Sequence, residues 1–428
     1  MDNHFILDTN FLSKELRLIL EILKTENDIN INLNRQDLFK EIDWSIFLYL
    51  VKHHRVYPVI YSKIKKINEK SIPSFVVQTL YQEYKKNTFQ MLRLSGEMER
   101  VSQIFKENQI SLLFLKGPVI ADHLYGDISL RTSKDLDVLI QKKDLETVEK
   151  LLVNFGYKKV VDSMALDCWK WRHHHVTYYH SKKMIEIEVH WRLHPPPMKE
   201  PEFNELWNRK RVSKLTTYPV NFLGEEDLFL YLVAHGTRHG WFRLRWLTDI
   251  DRIVKGINNM ENNNTLMEEY GTIHLGKHAH LFVGQALILI SNLINTPING
   301  VPTIRVGKRS IRLAQMGIFY INEMVQKQTS CSELEFSNYK KNHIFSLVFK
   351  LYKFFFAIYY QLLLKPNFVN KGLFILMLCF FPSPGDLKTL KLPKSLQFLY
   401  FPLRPFLWAW RMTKNMKVEL LKRDLVNK

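Results

Sequence analysis

The sequence predicts an α+β protein, with a block of short strands set between two helical regions. Three observations predict it. The first hundred residues carry apolar side chains three and four apart and contain no glycine before Gly96. Between residues 107 and 220, short apolar runs end at glycine or proline turns. From Glu225 the helical spacing returns.

Leu12 to Leu23 and Trp44 to Val51 read as amphipathic helices, Pro58 and Pro73 begin new ones, and Thr88 to Lys106 is a further helical run. Ser111 to Leu115 reads as a buried strand entering the turn Lys116-Gly117. Pro118 to Tyr125 is a helix with proline in its first turn, where the missing N–H does no harm. Leu136 to Ile140 is a second strand, and Asp144 to Phe155 a helix that Asp144 caps and Gly156 ends. Val176 to Tyr179 and Ile185 to Trp191 form an antiparallel pair around Ser181-Lys182-Lys183, and Pro195-Pro196-Pro197 stops the second strand because proline cannot donate to a ladder. Helices follow from Glu225 to Ile294, around a polar loop at Asn258 to Asn264. This pattern divides the chain into an N-terminal helical region (1–106), a strand-bearing core (107–220), a helical domain (221–344) and a basic, aromatic-rich C-terminal region (345–428).

Composition narrows the classes. With 428 residues and 46% hydrophobic content the chain fills more than one core, and 24% charged residues exclude a disordered or fibrous chain. Cys168, Cys331 and Cys379 are widely spaced, which excludes a disulfide scaffold or cysteine-zinc site and suits a reducing cytoplasm. The polar start Met1-Asp2-Asn3-His4 lacks a basic-then-apolar segment, so secretion is not expected. Residues 345–428 hold 14 Lys/Arg against 3 Asp/Glu, so +11 of the net +19 lies there. Phe354-Phe355-Phe356, Tyr359-Tyr360, Trp408 and Trp410 among these cations suit a membrane interface or RNA, or packing against the N-terminal helices. The charge-free stretches Phe354 to Leu364 and Gly372 to Pro384 fall short of the roughly 20 residues of a spanning helix. The expected location is the cytoplasm, with peripheral contact at the inner face of the membrane as the furthest excursion.

The chemistry-bearing motif is Ser133-Lys134-Asp135-Leu136-Asp137-Val138-Leu139-Ile140. Aspartates two apart on a strand share one face, and their mutual repulsion is relieved by a cation. Mg²⁺ or Mn²⁺ suits such oxygen ligands alongside substrate phosphates. In Ile185-Glu186-Ile187-Glu188-Val189-His190-Trp191 the same alternation puts Glu186, Glu188 and His190 on one face. If the two strands are neighbours, Glu188 supplies a third carboxylate, and three carboxylates with two metals clamp an in-line attack on phosphorus. Lys116-Gly117 offers a strand-to-helix turn for phosphate, and Arg131 a planar fork for a triphosphate.

Leu115-Lys116-Gly117, Leu124-Tyr125-Gly126-Asp127, Arg131, Asp135-Leu136-Asp137-Val138-Leu139-Ile140 and Glu186-Ile187-Glu188-Val189-His190-Trp191, in that order, resemble the uncharacterised bacterial nucleotidyltransferase family of the DNA polymerase beta superfamily. Weaker matches flank them, at Trp44, His53-His54 and Pro58, at His235, His239, Trp241, Arg243, Trp246 and Asp249, and at Asp386, Leu392-Pro393 and Leu399 to Pro405. The resemblance implies a small mixed β-sheet with helices, bound Mg²⁺ or Mn²⁺, an NTP substrate and nucleotidyl transfer to an unidentified acceptor. Asp135, Asp137 and Glu188 then hold metal and carry catalysis, while Lys116, Gly117, Arg131 and His190 meet the nucleotide. A metal-dependent glycosyltransferase with a D-x-D motif and a non-catalytic nucleotide- or RNA-binding module are the alternatives.

Other residues allow two readings each. His173-His174-His175 and His180 lack the i, i+4 spacing of a helical metal site and an acidic partner nearby in sequence, which favours contacts to nucleotide or loop. His190 orients the acceptor or is hydrogen-bonded in the site wall. His235 and His239, i and i+4 on a helix and followed by Asp249, line the acceptor side of the cleft or make a polar contact between domains.

Overall fold

The computed structural model describes residues 6–24, 39–66, 72–160, 173–195, 198, 200–259, 277–298, 307–329, 343–365 and 367–424. Its strands are β1 (Leu113–Phe114), β2 (Asp135–Leu139), β3 (Lys158–Lys159), β4 (His175–His180), β5 (Ile185–His190), β6 (Arg211–Ser213) and β7 (Val220–Phe222). They form a mixed seven-stranded sheet in the order β3-β4-β5-β2-β1-β7-β6. The β1–β2 pair is antiparallel, with Phe114 opposite Val138, whereas β1 and β7 run parallel. The rest of the described chain is mainly helical, so the α+β class holds.

The chain divides into two compact units, each made of two stretches. The first comprises residues 1–141 and 202–364. Its strands β1 and β2 carry Leu113, Phe114, Leu136 and Val138, all fully buried, with Leu115 and Ile140 just beyond them. The expected separate helices at Pro73 and Thr88 are one 34-residue helix, Ser74–Glu107, with Pro73 as its N-cap. No proline or glycine lies between Ser74 and Ser95 to break it before Thr88. Asn87, buried in the middle of that helix, donates to the carbonyl oxygens of Ser129 and Arg131 and fixes the approach to β2.

The second unit comprises residues 142–201 and 365–428. β4 and β5 form the expected hairpin, with His175 opposite His190 and Thr177 opposite Glu188. Ile185, Ile187 and Val189 are buried on one face while Glu186 and Glu188 are half-buried on the other, the alternation read from sequence. The helix Leu145–Asn154 follows Asp144, whose side chain makes no capping bond, and ends before Gly156 at φ 87°. β3 here, and β6 and β7 in the first unit, have only two or three residues and carry no readable period; the six-residue helix Phe203–Asn208 of the first unit is likewise not among the expected elements. Pro196, Pro197, Cys168, Cys331 and residues 260–264 of the expected polar loop lie outside the described residues.

In the same unit, Asp386 is fully buried between Arg404 and Arg411 and accepts from the Ser383 backbone N–H and hydroxyl. Tyr400 and Leu407 pack there with Leu387, Leu392 and Leu403. Phe368, Val369, Leu376, Phe406 and Trp410 are exposed. Charge-free length alone predicts no spanning helix in this stretch. Once isolated charges are allowed, the 22 residues Phe368–Thr389 are long and apolar enough to cross a membrane by length and composition. The stretch is two helices, Phe368–Phe380 and Pro384–Thr389, separated at Phe381 to Ser383.

Candidate active site

In the first unit, β1 leads into Lys116 and Gly117, whose φ of 97° lies in the region that favours glycine. A Cβ at Gly117 would also touch the Leu136 side chain at 3.4 Å. The helix Pro118–Tyr125 starts immediately after, so its N-terminal N–H groups open beside the turn. The Leu115 N–H donates to the Asp137 carbonyl at 2.9 Å and locks this turn to β2. Asp135 is half-buried and Asp137 buried, on the same face of the strand. Lys116 Nζ stands 3.1 Å from Asp137 Oδ1 and 5.5 Å from the Tyr231 ring centroid. Lys116 and the aspartate pair are thereby brought together, and an ammonium already balances one of the two like charges.

Arg131 has a different immediate partner from the expected triphosphate. It is 1% exposed, and its Nε and Nη2 donate to the two oxygens of Asp249 at 2.9 and 3.0 Å. Burial works against the guanidinium charge, but Asp249 outweighs it and raises the pKa above its ordinary value. Tyr125 donates to the same carboxylate at 2.9 Å. Sequence reading named Asp249 and Tyr125 without finding this pairing, since 118 residues separate Arg131 from Asp249.

In the second unit, the β4–β5 register brings His175, Glu188 and His190 to one face. Glu188 Oε2 lies 3.4 Å from His190 Nε2 and 3.8 Å from His175 Nε2. The acidic partner that the histidine run lacks in sequence is therefore supplied across the hairpin. His174, His175 and His190 each offer a ring nitrogen within 4.8 Å of the others. His180 does another job: its Nδ1 accepts from the Lys183 N–H at 3.3 Å and its ring meets Tyr157 edge-on. On β5, Glu188 shares this face with His190, while in the first unit Asp135 and Asp137 offer carboxylate oxygens on one face of β2.

With this geometry in view, residues 40–290 match the model of a family described as uncharacterised nucleotidyltransferase. The chain belongs to that family. The match contains Lys116 through His190 and continues through His235, His239 and Asp249. Among solved structures, the chain is similar to an antigenic nucleotidyltransferase-like protein from Paracoccidioides brasiliensis, at 14% identity and a TM-score of 0.30. That match covers 50% of this chain and 96% of the other, too slight a likeness to bear on the site. No curated protein matches the chain.

Carboxylate oxygens suit a hard divalent cation, whereas the three imidazoles suit a softer one. The ammonium at Asp137 occupies the kind of position a cation takes, which is the fit expected of a carboxylate that can exchange one positive charge for another. His235 and His239, with ring centroids 4.7 Å apart, pack against Trp246 within the first unit.

Proposed function

We propose that the protein transfers a nucleoside monophosphate from an NTP to an acceptor hydroxyl or phosphate and releases pyrophosphate, with Asp135, Asp137 and Glu188 holding Mg²⁺ or Mn²⁺. One observation carries the reading. Inside the family match, two same-face aspartates on β2 stand beside a glycine turn and a helix N-terminus, with a lysine ammonium on Asp137. The strand order of the sheet and the alternation along β5 support Glu188 as the third carboxylate.

When bound, the metal supplies charge stabilisation at the reacting phosphate and at the leaving pyrophosphate. The chain's own groups would do the rest. The Gly117 turn and the first turn of Pro118–Tyr125 would donate N–H groups to phosphate oxygens. Lys116, once displaced from Asp137, would turn its ammonium to the same oxygens, joined by Arg131 Nη1, which has no hydrogen-bond partner among the described residues. The acceptor oxygen bonds to the α-phosphorus as the bond from that phosphorus to the bridging oxygen breaks. The acceptor proton passes to the Glu188 carboxylate, 3.4 Å from His190 Nε2.

The test is incubation with each NTP labelled at the α- or γ-phosphate, with Mg²⁺ and cell extract. Label should move from the α-position only. Glu188→Gln should keep NTP binding and lose transfer by orders of magnitude, while Glu186→Gln keeps most activity. Transfer that survives in Glu188→Gln and dies in Glu186→Gln would overturn the assignment. NTP binding with no labelled product would leave a binding protein.

A further inference from the structure

The first unit holds a group of cations that the proposed mechanism does not use. The turn after the helix Trp44–His53 is tied to the start of the helix Leu244–Asn259: the Arg245 N–H donates to the His54 carbonyl at 3.2 Å, and the Leu244 N–H to His54 Nδ1 at 3.4 Å. This joint gathers Arg55, Arg243 and Arg245. Arg245 is 7% exposed, and its Nη1 donates to the Thr132 carbonyl just ahead of β2. Arg243 lies over the Phe242 ring at 5.1 Å.

Three features set this joint apart from a solvated basic surface. The first is unmet hydrogen bonding: Arg243 Nε, Arg245 Nε, His54 Nε2 and Trp246 Nε1 are buried with no hydrogen-bond partner among the described residues. An unsatisfied buried donor costs about 1–3 kcal/mol, so four in one place call for an acceptor. The second is like charge. Burial and then Arg131 push the Arg245 guanidinium down to about 9, and burial and then Arg243 push Arg55 down to about 10. The carboxylates acting on them are Asp135 on both and Asp249 on Arg245. The third is backbone strain: Arg55 (φ 57°) and Trp241 (φ 59°) are both left-handed, a conformation non-glycine residues hold where the surroundings impose it.

His239 is exposed and stacks on Trp246, on the same helix as Arg245 (centroids 5.3 Å, 28°).

We infer that Arg55, Arg243 and Arg245 form a binding site for a phosphoryl oxyanion beside Asp135, carried by the acceptor or by the triphosphate of the NTP. Planar guanidinium forks with spare N–H donors match phosphoryl oxygens in pairs. The site stands on its own geometry, and only the assignment of its ligand to acceptor or NTP rests on the proposed nucleotidyl transfer.

The test uses inorganic pyrophosphate with the full-length protein in a chelator, so that neither metal nor acceptor takes part. Pyrophosphate should bind the wild type and raise its Tm. Arg243→Gln should lose about tenfold or more in affinity while melting, without ligand, at or above the wild-type temperature, because a like charge has been removed. Arg243→Lys should fall between the two, and Arg55→Gln, in a different element, should repeat the loss. Displacement of pyrophosphate by a non-hydrolysable NTP assigns the site to the triphosphate, and simultaneous binding assigns it to the acceptor. The inference is overturned if pyrophosphate does not bind, if both Gln variants bind it as the wild type does, or if both melt well below the wild type without ligand. Label transfer intact with no pyrophosphate binding would sink this site alone, and the reverse would sink the proposed transfer alone.

Discussion

His54 shows how one residue's burial becomes a property of the whole fold. It is fully buried, and burial first, then His53 and Arg243, lowers its pKa from 6.5 to about 3. Between those values the unfolded chain takes up a proton that the folded chain refuses. Its contribution to stability is complete above pH 6.5 and is lost as pH falls toward 3, at up to about 1.4 kcal/mol per pH unit. His239, lowered to about 4, adds to the same slope. Urea midpoints measured from pH 7 to pH 5 should therefore fall, and His54→Gln should flatten part of that fall. Parallel curves for the two proteins would show that His54 is not a source of the acid sensitivity. Arg131 teaches a related lesson, since a buried guanidinium needs a full partner and Asp249 provides it on two hydrogen bonds.

At the scale of elements, what matters is how turns and clasps hold otherwise unremarkable helices. The two-residue strand β1 has little hold of its own. It is fixed by the Leu115 N–H on Asp137, by its β7 neighbour and by the Gly117 turn. In the C-terminal stretch the comparable fixture is Asp386. Its carboxylate gathers Ser383 at the start of one helix and Arg404 and Arg411 on the last helix, with Tyr400 packed alongside. Burial works against its charge, but those hydrogen bonds hold its pKa below the usual carboxylate value. Asp386→Ala leaves two arginines unpaired and should cost about 3 kcal/mol within this element. Amide exchange should quicken across residues 384–411 while β1 and β2 keep their protection. Unchanged exchange in the last helix would show that the clasp is not what holds it.

For the whole molecule, charge is unevenly distributed. Residues 365–428 carry 12 Lys/Arg and 3 Asp/Glu, alongside exposed Phe368, Phe406 and Trp410. A cut belongs after Leu364, because Tyr360, on the preceding helix, is buried and donates to the Thr237 carbonyl at 2.7 Å. Truncation there should remove most affinity for vesicles containing anionic lipid, and the full chain's binding should weaken steeply with salt. Equal retention of both proteins on such vesicles would rule out the tail as the contact. The family match ends at residue 290, so this tail lies outside the matched region.

Local pattern determined a good deal. Alternation put Asp135 with Asp137, and Glu186 with Glu188, on common strand faces, because a strand's period of two is fixed by its pleat. The glycine turn at Lys116-Gly117, the helix that follows it and the β4–β5 hairpin were legible for the same reason: short-range sterics decide them. The motif order was enough to indicate a nucleotidyltransferase family. The tertiary structure decided what no period encodes. It gave Arg131 to Asp249 across 118 residues and His175 to Glu188 across a hairpin, and it gathered Arg55 with Arg243 and Arg245. Pairings between distant residues follow from which backbones a fold brings together, and a charge's partner and its burial are properties of that arrangement rather than of its neighbours in sequence.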